Sequence, residues 1–279
     1  MPLDFDPLLL GRWPLLIAGT VLLIWLWLPK SPVKPLELAR EVAVVLSAFL
    51  FYFIVRANVD HRQFEALQRG ADLIRMERAL GIFWEVEIQQ RVLYSEPLLH
   101  LANWTYEWLH WPVIVFVGMW LYLLHRTEYS TYRNAFLISG AIGLVIYGAL
   151  PTAPPRFLEG WGFVDTIAIR EGAQQVQLPP QLLNEYAALP SLHFGWNLLA
   201  GIALARHATN PLFKLLGVIM PIAMFLAIVS TGNHYIIDGL AGAMVALIAL
   251  MAAILLQDFF DRRGERIRNR LPAFATRLV

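Results

Sequence analysis

A histidine four residues ahead of an aspartate, His234 and Asp238, is the pair in this chain best suited to chemistry. Residues i and i+4 share one face of a helix, so Asp238 can accept from one ring nitrogen of His234 and hold the other, unprotonated, toward a substrate. That is a nucleophile with its orienting partner. A second histidine, His193, follows Pro190-Ser191-Leu192, where Pro and Ser mark a helix start and put His193 in its first turn. From there it can supply a proton to a leaving oxygen. The stretch Pro151-Thr152-Ala153-Pro154-Pro155-Arg156-Phe157 adds a guanidinium. Arg156, by fork geometry, and the N–H groups of the helix start at Ser191, by partial charge, could hold a phosphate. The set reads as phosphoryl transfer through a phosphohistidine, with no metal and no cofactor.

Each element also has a plainer reading. His193 could be a hydrogen-bonded core residue, His234 with Asp238 a pair bridging a helix kink, and Arg156 a side chain snorkelling to headgroups. The prolines at 151–155 read first as the end of a span. The other histidines, His61, His100, His110, His125 and His207, receive no function. Two other classes use the same residues. One is a metal enzyme with His193, His234 and Asp238 as a two-histidine, one-carboxylate site. The other is a transporter or scaffold whose ionisable groups line a pathway.

These residues must be positioned by elements that live in lipid. The chain has 279 residues, 58% hydrophobic and 15% charged, with mean hydropathy +0.54. An ordinary soluble domain is roughly 45–50% apolar and about 25% charged, so the surplus apolar surface needs a bilayer. A net charge of +1 excludes a nucleic-acid binder held by a basic face. The absence of Cys excludes disulfides, thiolate nucleophiles and Cys-ligated metal sites. Uncharged runs near the roughly 20 residues a span needs lie at Trp13 to Pro29, Trp108 to Leu124, Asn134 to Pro155, Leu215 to Ile237 and Gly239 to Gln257. Val42 to Val55 and Tyr186 to Ala205 are weaker candidates. The acidic start MPLDFD argues against a cleaved signal peptide. The expected fold is an all-α integral-membrane bundle of about six or seven transmembrane helices with amphipathic interfacial helices.

Connections 30–40, 126–133 and 206–214 and the C-terminal tail carry more Lys and Arg than those on the other side, which marks them as cytoplasmic. Arg156, His193, His234 and Asp238 then meet at the outer face. Residues 57–96 alternate charged and apolar positions at helical spacing and read as one or two amphipathic helices on the membrane surface. They pack over the bundle or help to hold a lipid. The expected organisation is 1–110, N-terminal spans with interfacial helices; 111–257, catalytic transmembrane core; and 258–279, a basic cytoplasmic tail. The long connection at 151–189 is typical of a functional loop.

The motifs at His193 and His234/Asp238 resemble those of the type 2 phosphatidic acid phosphatase superfamily, integral-membrane enzymes acting on lipid phosphates without metal. Its signature is Lys-x6-Arg-Pro, Pro-Ser-Gly-His and Ser-Arg-x5-His-x3-Asp. Here Ala-Pro-Pro-Arg156 takes the place of the first, Leu192 replaces the Gly, and Ile228 stands where the phosphatases have Arg. Those departures are similar to the inositol phosphorylceramide synthase branch, over about residues 134 to 257. The resemblance implies His234 as nucleophile, Asp238 as its partner, His193 as general acid and an outward-facing site. One guanidinium suits a phosphodiester better than a dianionic monoester. The implied activity is therefore phosphotransfer of a headgroup such as inositol phosphate, from a phospholipid donor to a lipid or polyol acceptor. A lipid phosphate phosphatase is the alternative. The expected location is a bacterial plasma membrane, multi-pass, with a cytoplasmic C-terminus.

Overall fold

The computed structural model describes residues 35–57, 62–166 and 185–268. The expected span Trp13 to Pro29, His61 and the end of the basic tail lie outside the described residues. The helices are α1 (Pro35–Ala57), α2 (Gln63–Leu80), α3 (Glu85–Leu93), α4 (Glu96–Trp108), α5 (Trp111–Leu124), α6 (Arg126–Ala149), α7 (Leu192–His207), α8 (Pro211–Ser230) and α9 (Ile236–Arg268). Two short 3-10 turns, Pro155–Phe157 and Glu159–Trp161, follow α6. Among the described residues no strand forms beyond one isolated parallel bridge, Thr152 with Ala187.

Helix α7 lies at the centre, packed on α8, α9, α6 and α5. Small residues let its neighbours approach, as expected where helices associate without a hydrophobic drive between them. A Cβ on Gly195 would lie 2.6 Å from the Gly242 carbonyl of α9, and one on Gly217 of α8 would lie 2.6 Å from the Gly201 carbonyl of α7. Pro221 inside α8 has no N–H for the carbonyl four residues back, that of Gly217. That carbonyl is turned to Gly201, where a Cβ would collide with it. The outer faces of α8 and α9 keep large apolar side chains exposed, among them Leu215, Ile222, Leu226, Leu247 and Met251.

Among the described residues fewer helices are long and apolar enough to cross a membrane than the six or seven expected of the whole chain. Helix α8 and the stretch Ile236–Arg263 qualify, and α4 with α5 qualify as one pair bent by 46°. The reasons are local. Helix α6 takes in Arg126, Glu128 and Arg133 ahead of its apolar run, and α7 has 16 residues. The expected span starting at Tyr186 is corrected, because residues 186–190 are non-helical and the helix begins at Leu192. Pro190 cannot donate to a helical ladder and disfavours helix in the residue before it. The Asn134 to Pro155 run likewise ends as helix at Ala149, and the Leu215 to Ile237 run at Ser230.

The amphipathic stretch forms α2 and α3, laid across one end of the bundle. Arg62 and Arg69 donate to the Gly148 and Ala149 carbonyls that end α6. Ala66, Gly70, Leu73, Ile74 and Glu77 face inward. Gly81, with φ +70°, closes α2 in the left-handed conformation that suits glycine.

Candidate active site

The end of α6, the starts of α7 and α9 and the end of α8 meet at the end of the bundle covered by α2 and α3. Helix α8 stops because Gly232 takes φ +70° and gives its N–H to Val229, a left-handed close. The N–H groups of Asn233 and His234 then turn back to the Ile228 carbonyl. His234 is thus held in the turn between α8 and α9, 5% exposed. It precedes helix α9, so its relation to Asp238 comes from a turn and not from the shared helix face that the spacing suggests.

The ring of His234 has a partner that its spacing does not reveal. Nδ1 lies 2.8 Å from the Ala188 carbonyl oxygen and 3.4 Å from Asp238 Oδ2. A carbonyl only accepts, so Nδ1 carries the hydrogen and a neutral ring has Nε2 bare. Ala188 is fixed in turn by the bridge to residue 152, in which its N–H donates to the Thr152 carbonyl and the Thr152 N–H donates to Tyr186. Asp238, fully buried, also takes the Tyr235 N–H at 3.0 Å. That is the backward half of a capping box, an acid in the third helical position holding the N–H of the capping residue.

Ser191 joins the two histidine-bearing elements. Its N–H donates to the Asp238 carbonyl at 2.9 Å, and its Oγ accepts the Phe194 N–H at 3.4 Å as the N-cap of α7. His193, in the first turn of α7, has its ring centroid 5.8 Å from that of His234. Tyr106 stacks on His193 at 4.6 Å and His110 lies against it at 4.2 Å. Arg156, in the turn after α6, donates its backbone N–H to Gly232 at 2.9 Å. Its guanidinium bonds the Asn233 side chain and faces Asp165 at 3.5 Å. Asn233 is the neighbour of His234, so the cation is tethered to the same turn. The structure therefore brings Arg156, Ser191, His193, His234 and Asp238 to one place.

Sequence reasoning missed several side chains around this cluster. Tyr106, in the last turn of α4, and His110, between α4 and α5, lie against His193. Gln89 of α3 clamps Val164 through both its N–H and carbonyl, at 2.9 Å each, beneath Gly232. Glu77 and Glu85, both fully buried, accept the N–H groups of Ile237 and Ile236 at 2.9 Å each. In the sequence they are charged positions of an amphipathic stretch, whose usual place is a solvated face; helical phase from Leu73 and Ile74 was the available signal. Among the described residues no group of three or more His, Cys, Asp or Glu is arranged to hold a metal ion.

Comparison with known proteins points the same way as these motifs. Over 179 residues the chain is 28% identical to a phosphoinositol dihydroceramide synthase of Bacteroides thetaiotaomicron, an alignment that takes in 56% of this chain and 58% of that protein. The chain thus spans under two thirds of that relative's length. No solved structure matches it. A family profile described as the PAP2 superfamily matches residues 71–252, a stretch that holds Glu77, Glu85, the bridge at 152 and all five clustered residues. The chain belongs to the PAP2 superfamily, a family of lipid phosphatases and phosphotransferases.

Proposed function

We propose that the protein is a membrane-embedded phosphotransferase that moves a phospho-headgroup such as inositol phosphate between lipids through phosphohistidine at His234. The observation that carries the reading is the Nδ1–H of His234 given to the buried Ala188 carbonyl, which leaves Nε2 as a fixed, unprotonated nucleophile. In the first step Nε2 attacks phosphorus, the bond from phosphorus to the donor lipid's oxygen breaks, and protonated His193 gives its proton to that oxygen. In the second step an acceptor hydroxyl attacks the phosphohistidine, the P–N bond breaks, and His193 takes the hydroxyl proton back. Asp238 lies beside the charge that builds on the imidazole. Arg156 and Ser191 hold the phosphate; the Ser191 hydroxyl can donate to it while accepting from Phe194.

Transfer, as opposed to hydrolysis, is favoured by the position where the phosphatase signature has Arg. Ile228 there is fully buried against Met224, Val229, Phe194 and Phe225. With Arg156 as its cation the site suits a monoanionic phosphodiester. The Bacteroides relative's name, a phosphoinositol dihydroceramide synthase, supports a sphingolipid acceptor. If water takes the acceptor's place, the same chemistry is a lipid phosphate phosphatase. In the proposed topology six or seven spans cross a bacterial plasma membrane, with the site on the extracytoplasmic face and the C-terminus in the cytoplasm. The domain reading keeps 1–110 as N-terminal spans with interfacial helices, 111–257 as catalytic transmembrane core and 258–279 as basic cytoplasmic tail.

The test uses phosphatidylinositol labelled with 32P in the headgroup, offered in vesicles with or without dihydroceramide. The expected result is a labelled protein stable to base and labile to acid, with label passing to dihydroceramide. Label appearing only as water-soluble inositol phosphate would replace transferase by hydrolase. Intact donor with no labelled protein would remove the catalytic reading altogether and leave the transporter or scaffold.

Arg156→Ala is expected to lower kcat/KM by roughly 10²- to 10³-fold, the size seen when a charged donor to a developing oxyanion is removed. Arg156→Lys should restore only part of this, since Lys lacks the planar fork. Full activity of the Ala variant would move phosphate binding elsewhere.

A further inference from the structure

Two acids on the covering helices reach the element that carries Asp238 and follows His234. Glu77 sits in the last turn of α2, and the left-handed Gly81 reverses the chain so that Glu85 opens α3 beside it. Glu85 Oε1 takes the N–H of Ile236 and Glu77 Oε1 takes that of Ile237, the first two helical residues of α9. Asp238 takes the N–H of Tyr235, just before them. Three carboxyl groups from three helices thus satisfy three successive donors at one helix start, where four N–H groups lack partners within the helix.

The other oxygens of the two glutamates create a conflict. Glu77 Oε2 and Glu85 Oε2 are buried, and neither has a donor among the described residues. The two side chains lie within hydrogen-bond reach of each other. Two ionised carboxylates only accept, so they would repel, with Asp238 adding a third negative charge in a dry interior. One proton between them turns the conflict into a hydrogen bond, as in other paired carboxyl groups.

We propose that Glu77 and Glu85 are positioning residues: a pair sharing one proton that holds the first turn of α9 and thereby fixes His234 and Asp238 against His193. The inference rests on the reading of His234 and Asp238 as the reacting pair. The groups facing the pair are Asp238 and Tyr235, with His234 beyond Asp238. Burial first, then the hydrogen bond and charge of Glu85, push the Glu77 carboxyl up to about 9 from its ordinary 4.5. The sign follows: the folded chain keeps a proton that the unfolded chain loses near pH 4.5, so this contribution to stability is full below that pH and declines as pH rises to about 9. In the folded enzyme Glu77 loses its proton near pH 9, and the hold on the first turn of α9 is then expected to weaken.

Full-length protein in detergent is assayed on phosphatidylinositol vesicles from about pH 6 to 10, alongside its thermal midpoint. Glu77→Gln supplies a permanent N–H in place of the shared proton. It should keep kcat near neutral pH within about threefold, remove the fall in kcat near pH 9 and flatten the decline of the midpoint. Glu77→Ala should lower kcat by about 10- to 100-fold with little change in KM, the effect of misplacing a reacting group. A Glu77→Gln enzyme that keeps the wild-type alkaline fall overturns the proposal, and so does a Glu77→Ala enzyme with unchanged kcat. If the Ala variant does not fold, the Gln variant decides. His234→Ala run in parallel separates the two ideas: if it stays active the nucleophile reading fails, and if it is dead while Glu77→Gln matches wild type at every pH, only the positioning pair fails.

Discussion

His234→Ala is expected to abolish headgroup release and transfer, with kcat lowered by at least about 10⁴-fold, or roughly 5.5 kcal/mol of barrier. Removing a nucleophile removes the route itself, so no neighbouring group can compensate in part. Loss of the 32P-labelled protein must accompany loss of turnover. Folding should survive, because the His234 backbone N–H, which donates to Ile228 at 3.0 Å, is retained in the variant. The ring gives up its hydrogen bond to Ala188 and its contact with Asp238 Oδ2, which keeps the Tyr235 N–H. A folded His234→Ala enzyme turning over phosphatidylinositol at more than about a hundredth of the wild-type rate would refute phosphohistidine chemistry at this residue.

The variant also separates catalysis from the metal reading. If His193, His234 and Asp238 held a metal, His234→Ala would lower activity through lost metal, and a chelator would inactivate the wild type. Phosphohistidine chemistry predicts chelator resistance. A metal would have to take Nε2 of His234 and Oδ1 of Asp238, since Nδ1 is committed to a carbonyl and Oδ2 to a backbone N–H. Nδ1 and Oδ2 already serve orientation.

Much of the cluster was legible in the sequence because its members are chemically rare in an apolar chain. Three short motifs, counted against the spans, place Arg156, His193, His234 and Asp238 at one end, and the structure brings them there. What could not be read depends on backbone and on distant packing. The acceptor that sets the His234 tautomer is a carbonyl, a group every residue owns, presented by Ala188 through pairing with residue 152. The spacing of His234 and Asp238 suggested a helix face, yet a left-handed Gly232 puts the histidine in a turn. Glu77 and Glu85 were hidden for another reason: an amphipathic pattern says which residues turn inward on average, and acids are assigned to water by default. Only the crossing of α2 and α3 over the start of α9 gives those two carboxyl groups donors. The non-helical stretch at 186–190 misled in the opposite direction, since its hydropathy fits a span while Pro190 forbids the helix.

His193→Ala is expected to lower kcat for phosphatidylinositol by roughly 10²- to 10⁴-fold, the range of general acid and base catalysis. The size of the loss should depend on the group that leaves. A lipid alkoxide is a poor leaving group and needs the proton that His193 supplies, whereas the phenolate of an aryl phosphodiester departs without one. The same variant should therefore recover much of its burst of phosphoprotein on the aryl substrate, while the second step stays slow because the acceptor hydroxyl still lacks a base. The site gives His193 little freedom to be replaced in this task. Tyr106 stacks on its ring at 4.6 Å, His110 lies tilted against it at 4.2 Å, and the Ser191 N–H ties its helix start to Asp238. Equal losses on the alkyl and the aryl donors would show that His193 only shapes the pocket, and would pass the proton to another group, with His110 the first to test.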